Sequence, residues 1–209
     1  YYFAEENLKF QRLEKQFKDK KQWIKGFPKL KTIEQIFNER GGYTIEDKLK
    51  GSELVGLRYK GPFDDLEVQN IPGGYPFTNE TLKEEGITAV NCHKVLDGGK
   101  DNIGNDIVVA GEGTGVVHMA TGCGSIDNKI GKKNNLVEIA PLDDEAKYLS
   151  GFGFLTGKIA TSESTRDEII QYLKDNQFLL YQEDYPHVYP HCWRSGDELV
   201  YRSVDEWYI

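Results

Sequence analysis

Gly111–Gly131, GEGTGVVHMATGCGSIDNKIG, sets a histidine, His118, and a carboxylate, Asp127, nine residues apart around a turn rich in glycine. Val116-Val117-His118-Met119-Ala120 carries β-branched residues and reads as a strand that enters the turn. The turn itself holds too much glycine to read as a helix. An acid that returns toward the strand end, beside glycines whose backbone N–H groups stay open to a ligand, outlines the wall of a small polar pocket. A carboxylate there holds a cationic group, and the amides receive a developing oxyanion.

Outward from this stretch, short strand candidates recur at 43–49, 54–59, 87–96, 106–110, 136–140, 178–181 and 199–202, with a last one at 207–209. Gly61-Pro62, the run Ile71 to Pro76, Asp97-Gly98-Gly99 and Ile103-Gly104-Asn105 punctuate them. Helices are expected from about Glu5 to Lys21, from Thr32 to Arg40 with a stop at Gly41-Gly42, and from Thr165 to about Asn176. The last begins at Thr165-Arg166-Asp167-Glu168, which reads as a capping box. The sum predicts an α+β fold with a β-barrel-like core and peripheral helices, one domain over 1–209 whose segment 5–42 is helical and basic. Tyr1 reads as opening within a strand, as in a piece of a larger protein.

With 209 residues, 38% of them hydrophobic and 29% charged, the chain is long enough for a sizeable core. It has no apolar run of the roughly 18 residues that span a bilayer, so a cytoplasmic protein with no membrane partner is expected. Three cysteines argue against a disulfide framework. The net charge of −8 is uneven: residues 9–31 carry nine basic side chains against two acids, leaving that segment at +7 and the remainder at −15. The segment is either the solvated face of a helix whose apolar side is Phe10, Leu13 and Phe17, or a dock for phosphate.

Other chemistries fit less well. Gly111, Gly113 and Gly115 suggest a phosphate loop, but the following residues are β-branched rather than a helix start. His187, His191, Cys192, Cys123 and the Cys92-His93 pair are ligand types, yet Ser195 stands where a second cysteine would complete a zinc knuckle, so no metal is expected. A Cys123–His118 nucleophile pair lacks a helix dipole to lower the thiol pKa. Asn79-Glu80-Thr81 matches a glycosylation acceptor by chance. Trp193 and Arg194 either stack on RNA or pack their loop, with packing favoured.

The run from Gly113 to Gly131 resembles the editing-site signature of the isoleucyl-tRNA synthetase family, roughly GTGxVHxAPxxGxxD followed by an aromatic. The tail from Tyr189 to Arg202, closing on Glu206-Trp207-Tyr208-Ile209, resembles the end of the same inserted domain, and 51–57 with Tyr59-Lys60-Gly61-Pro62-Phe63 resembles its middle. The resemblance implies the class I synthetase editing-domain fold and hydrolysis of the ester in valyl-tRNA(Ile). In it Asp127 anchors the α-ammonium of the misattached amino acid, and His118 helps recognise its side chain and the terminal ribose. Gly113, Thr114, Gly115, Thr121 and Gly122 line the substrate.

The implied partners are the 3′ end of tRNA(Ile) carrying valine and the remainder of a parent synthetase, the whole acting as a monomer. Editing needs no cofactor or metal, whereas the parent uses ATP and Mg²⁺, and the HIGH and KMSKS-type motifs of that activation step are not in these residues. Thr121 stands at the usual proline, Asn128 at the usual aromatic, and the family's threonine-rich loop is not found. Two rival readings are a non-catalytic tRNA-binding module working through 9–31 and a free-standing deacylase acting in trans.

Overall fold

Thr32 starts a helix as its sequence predicts. In the computed structural model, which describes residues 1–9, 30–101, 103–109, 113–185 and 189–204, helix α1 (Ile33–Glu39) has Thr32 as N-cap. The Thr32 hydroxyl accepts from Gln35 N at 3.2 Å, and the Gln35 side chain accepts from Thr32 N at 2.9 Å. Gly41 and Gly42, with φ of +106° and +90°, turn the chain off the helix end in a region that side chains avoid. The other helices are α2 (Gly51–Leu54), α3 (Glu80–Glu84), α4 (Ser125–Lys133) and α5 (Glu163–Asp175).

Three of these revise the sequence reading. Helix α5 begins two residues before Thr165, because Ser162 is the cap: its hydroxyl accepts from Thr165 N at 3.2 Å while Thr165 is itself 1% exposed. Asn79 is the N-cap of α3, accepting from Leu82 N at 3.2 Å. The stretch after the glycine turn, expected to stay non-helical, folds as α4, since Gly122 and Gly124 precede it and only Gly131 lies inside. The expected helix 5–21 begins as a 3₁₀ turn over Glu5–Asn7, and 10–29 fall outside the described residues. Most of the basic segment therefore does too, although Lys9 pairs with Glu34 at 3.5 Å and Lys31 with Glu39 at 2.5 Å.

Strand pairing among the described residues takes the form of isolated bridges: Arg58 with Lys94, Lys100 with Asp106, Leu142 with Tyr148, Lys147 with Ile159, His191 with Glu198, and a parallel one between Tyr75 and Ile139. Segments 43–49, 116–120, 178–181 and 199–202, expected as strands, take part in no bridge there. Leu54 of the expected strand 54–59 closes α2, the expected strand 87–96 contains a 3₁₀ turn over Val90–Cys92, and 207–209 fall outside the described residues. Every residue from Tyr43 to Lys50 is exposed, so β-propensity there meets no neighbouring edge. The result is a mixed helix-and-bridge fold of α and β character.

The backbone divides into two compact units. One comprises Tyr1–Leu54, Asp97–His118 and Tyr181–Val188. In it Leu8, Leu30, Ile36 and Phe37 are buried, and the Phe37 ring lies 5.5 Å from Tyr1, 5.7 Å from Phe3 and 5.9 Å from Tyr43. The other comprises Val55–Leu96, Met119–Leu180 and Tyr189–Ile209. Its core holds Val68, Phe152 and Leu155, with Tyr75, Ile139, Tyr148 and Ile169 packed against them. A second cluster of Leu82, Ala89 and Val137 also touches Ile139, so the 137–140 segment runs between both. Helix α5 is tied to this unit by Tyr172, whose hydroxyl donates to Pro62 O at 3.0 Å and whose ring stacks on Phe63 and Phe154. No helix among the described residues is long and apolar enough to cross a membrane.

Candidate functional site

The sequence candidates divide between the two units. Gly113, Thr114, Gly115 and His118 belong to the first, and Thr121, Gly122 and Asp127 to the second.

In the first unit the start of the chain seats the glycine-rich segment. Ala4 N donates to Thr114 O at 2.7 Å, and Asn7 Nδ2 donates to Gly113 O at 3.0 Å. Asn7 is 1% exposed, so its amide is committed to this buried contact. Gly115 has φ +78°, and a Cβ there would lie 2.5 Å from Ala4 Cβ, so glycine is required by both conformation and space. Thr114 accepts from Val116 N at 3.3 Å and donates to Val116 O at 3.0 Å, which turns the chain toward His118. His118 is exposed, as are Val116 and Val117.

In the second unit Asp127 occupies the first turn of α4, where the helix N-terminus favours negative charge. Its Oδ2 accepts from Ala120 N at 3.0 Å, which folds the carboxylate back over the turn, 3.7 Å from where a Cβ on Gly124 would stand. The turn is pressed against the 137–140 segment: a Cβ on Gly122 would lie 2.0 Å from Ile139 O. Thr121 donates from Oγ1 to Val137 O at 2.9 Å. Asn128 Nδ2 donates to Thr121 O at 2.9 Å and to Glu138 Oε2 at 2.8 Å. Glu138 also lines a cavity of about 510 Å³, with Gly73, Phe77, Asn79 and Lys132 on its other walls.

Glu138, Val137 and Ile139 are the site neighbours that sequence reasoning missed, because contacts made ten or more residues away leave no periodic or motif signal. Cys123 is held as a thiol: burial pushes its pKa up, and the carboxylates of Asp127 and Glu138 add to the shift. That is the wrong direction for a nucleophile. Among the described residues no group of three or more His, Cys, Asp or Glu side chains is placed to hold a metal ion, and His187 lies outside them. Trp193, for which packing was favoured, is 85% exposed with the Arg194 guanidinium 4.7 Å above its ring. An indole that packs its loop does not face solvent in this way.

No protein-family profile matches the chain. Individual proteins do, and they share one chemistry, which places the sequence among the aminoacyl-tRNA ligases. The isoleucine–tRNA ligase of Methanocaldococcus jannaschii is 34% identical over 204 residues, covering 94% of this chain and 17% of that protein. The isoleucine–tRNA ligase of Sulfolobus acidocaldarius is 35% identical over 167 residues, covering 80% of this chain and 14% of that protein, and that of Aquifex pyrophilus is 32% identical, covering 85% and 30%. The chain belongs to the isoleucine–tRNA ligase family, and it spans less than a third of the length of each of these relatives.

Proposed function

We propose that this chain is an editing domain that hydrolyses the aminoacyl ester of valyl-tRNA(Ile). The observation that carries the reading is the Asp127 carboxylate, fixed at the start of α4 by Ala120 N within a run that resembles the family's editing signature. The physical need is clear. A synthetic pocket for isoleucine separates it from valine by one methylene, worth about 1–3 kcal/mol, a limit for which the isoleucine enzyme is itself the established example rather than a value obtained from this structure. A second site that admits valine and excludes isoleucine removes the error.

In this mechanism Asp127 grips the α-ammonium of the misattached residue through its remaining oxygen, a charge-assisted bond of about 1.5–3 kcal/mol. His118 recognises the side chain and the terminal ribose. The polar walls are Gly113, Thr114, Gly115, Thr121 and Gly122. Water attacks the ester carbonyl, backbone amides receive the developing oxyanion, and the tRNA's own terminal hydroxyl assists proton transfer. The barrel-like core, monomeric state and cytoplasmic location expected for such a domain are part of this proposal. Hydrolysis is assigned no cofactor, and ATP and Mg²⁺ belong to aminoacylation by the parent ligase.

Valine release from valyl-tRNA(Ile) by the full-length protein that carries these residues, compared with its Asp127→Ala variant, tests the reading. A loss of about 10- to 150-fold follows from the ammonium bond. Undiminished release in the variant refutes the anchor. tRNA binding that is steeply salt-dependent, with no valine released by either protein, points instead to a binding module.

A further inference from the structure

We infer that Asn128 is a positioning residue that fixes the Asp127 carboxylate by clamping the turn to which that carboxylate is bonded. The inference rests on the editing reading for its chemical consequence, while the clamp itself stands on geometry within one unit.

Both N–H bonds of the Asn128 amide are used. One goes to Thr121 O at 2.9 Å and the other to Glu138 Oε2 at 2.8 Å, so a single side chain ties the turn to the 137–140 segment. The neighbouring residue, Asp127, holds the other side of the same dipeptide by accepting from Ala120 N. Consecutive residues of a helix point about 100° apart, so the first turn of α4 grips residues 120 and 121 at two separate points.

Thr121 is seated from three directions. Its carbonyl faces Asn128, its hydroxyl donates to Val137 O at 2.9 Å, and its methyl fills the space above Gly131, where a Cβ would lie 2.6 Å from Thr121 Cγ2. Gly122 then passes with no room for a side chain against Ile139 O. An asparagine and a threonine stand where the resembled signature carries an aromatic and a proline. Proline has no side-chain donor, and no aromatic side chain carries the two-donor amide with which Asn128 reaches Thr121 O and Glu138 Oε2 together. If the clamp is cut, the turn is free to swing and Ala120 N leaves Asp127. The carboxylate then rotates about its own bonds, and the ammonium meets an acid that is present but misdirected.

The test uses the full-length protein. Asn128→Asp keeps the shape of the side chain, removes both donors and sets a second carboxylate beside Glu138. Thr121→Val removes only the hydroxyl, and Thr121→Ser keeps it. Three quantities are read: kcat and KM for valine release, exchange of the Ala120 amide hydrogen at single-residue resolution, and the thermal midpoint. Asn128→Asp and Thr121→Val are expected to lower kcat by about tenfold or more while KM stays within about threefold, and to speed Ala120 exchange by about tenfold. Thr121→Ser is expected to keep Ala120 exchange within about threefold of wild type. Ala120 exchange that is unchanged in Asn128→Asp overturns the clamp. Faster exchange with unchanged kcat in an active protein overturns the positioning role. A wild-type protein that releases no valine overturns the editing reading instead, and the exchange measurement then judges the clamp alone.

Discussion

Ala120 N donates to Asp127 Oδ2 at 3.0 Å, which makes the first turn of α4 and the end of the preceding segment one hydrogen-bonded unit. The same carboxylate thus has two jobs, scaffold through one oxygen and proposed ligand through the other. Asp127→Asn separates them, because an amide oxygen still accepts from Ala120 N while the charge is gone. The thermal midpoint of Asp127→Asn is expected to stay near wild type as valine release falls about 10- to 150-fold. Calorimetry and a deacylation assay on the same preparation check the two halves.

Gly115 and Gly122 forbid side chains for different reasons, and alanine at each reports on a different unit. Gly115→Ala places a Cβ at φ +78° and against Ala4 Cβ, a combined conformational and steric cost of about 1–3 kcal/mol. Gly122→Ala sets a Cβ 2.0 Å from the Ile139 carbonyl oxygen, so the 120–124 turn must move away from the 137–140 segment. Denaturant unfolding should show both losses. Hydrogen exchange should assign the first to residues 1–9 and 113–118 and the second to 119–140.

Cys123 sets an alkaline limit. Burial first, then Asp127 and Glu138, raise the thiol pKa above its ordinary value. A raised folded-state pKa means that the native protein holds its proton more tightly than the unfolded chain. The stabilisation is therefore fully present below the ordinary thiol range and is lost as the pH rises through the folded value. Burial of Tyr148, with Cys123 beside it, acts in the same direction. The unfolding midpoint should fall as the pH rises above the ordinary thiol range, and less so in Cys123→Ala. Alkylation followed on the peptide containing Cys123 should titrate above that range, and at lower pH in Asp127→Asn, which removes one of the two carboxylates.

Ser162 caps α5, and its removal should cost about 0.5–2 kcal/mol. Arg166→Ala, two residues into the stretch read from sequence as the capping box, changes an exposed position and should stay within about 0.5 kcal/mol. A loss at Ser162→Ala no larger than that at Arg166→Ala in chemical unfolding would refute Ser162 as the cap.

The ends of α1 were legible because every atom that makes them lies within four residues. Thr32, Gln35 and the Gly41-Gly42 stop are neighbours along the chain, and capping is a local exchange of hydrogen bonds. The start of α5 was displaced by two residues because Ser162 and Thr165 both carry a hydroxyl able to cap, and only burial of Thr165 decides between them. Strand-like composition at 43–49 or 116–120 announced an extended backbone but not a partner, since pairing requires an edge supplied from elsewhere in the chain. For Trp193 packing was favoured over stacking on RNA, and its exposure depends on what surrounds the 189–196 loop in three dimensions.

What the sequence determined by itself was the order of motifs that marks the isoleucine–tRNA ligase family and those helix ends whose donors and acceptors are near neighbours. Tertiary structure alone decided that a helix follows the glycine turn, that Asp127 is bonded to Ala120, and that Asn128 ties Thr121 to Glu138. The reason is range. Spacing along a chain encodes interactions a few residues long, whereas which carboxylate lies beside which amide is settled only when distant segments exclude water and one another's volume.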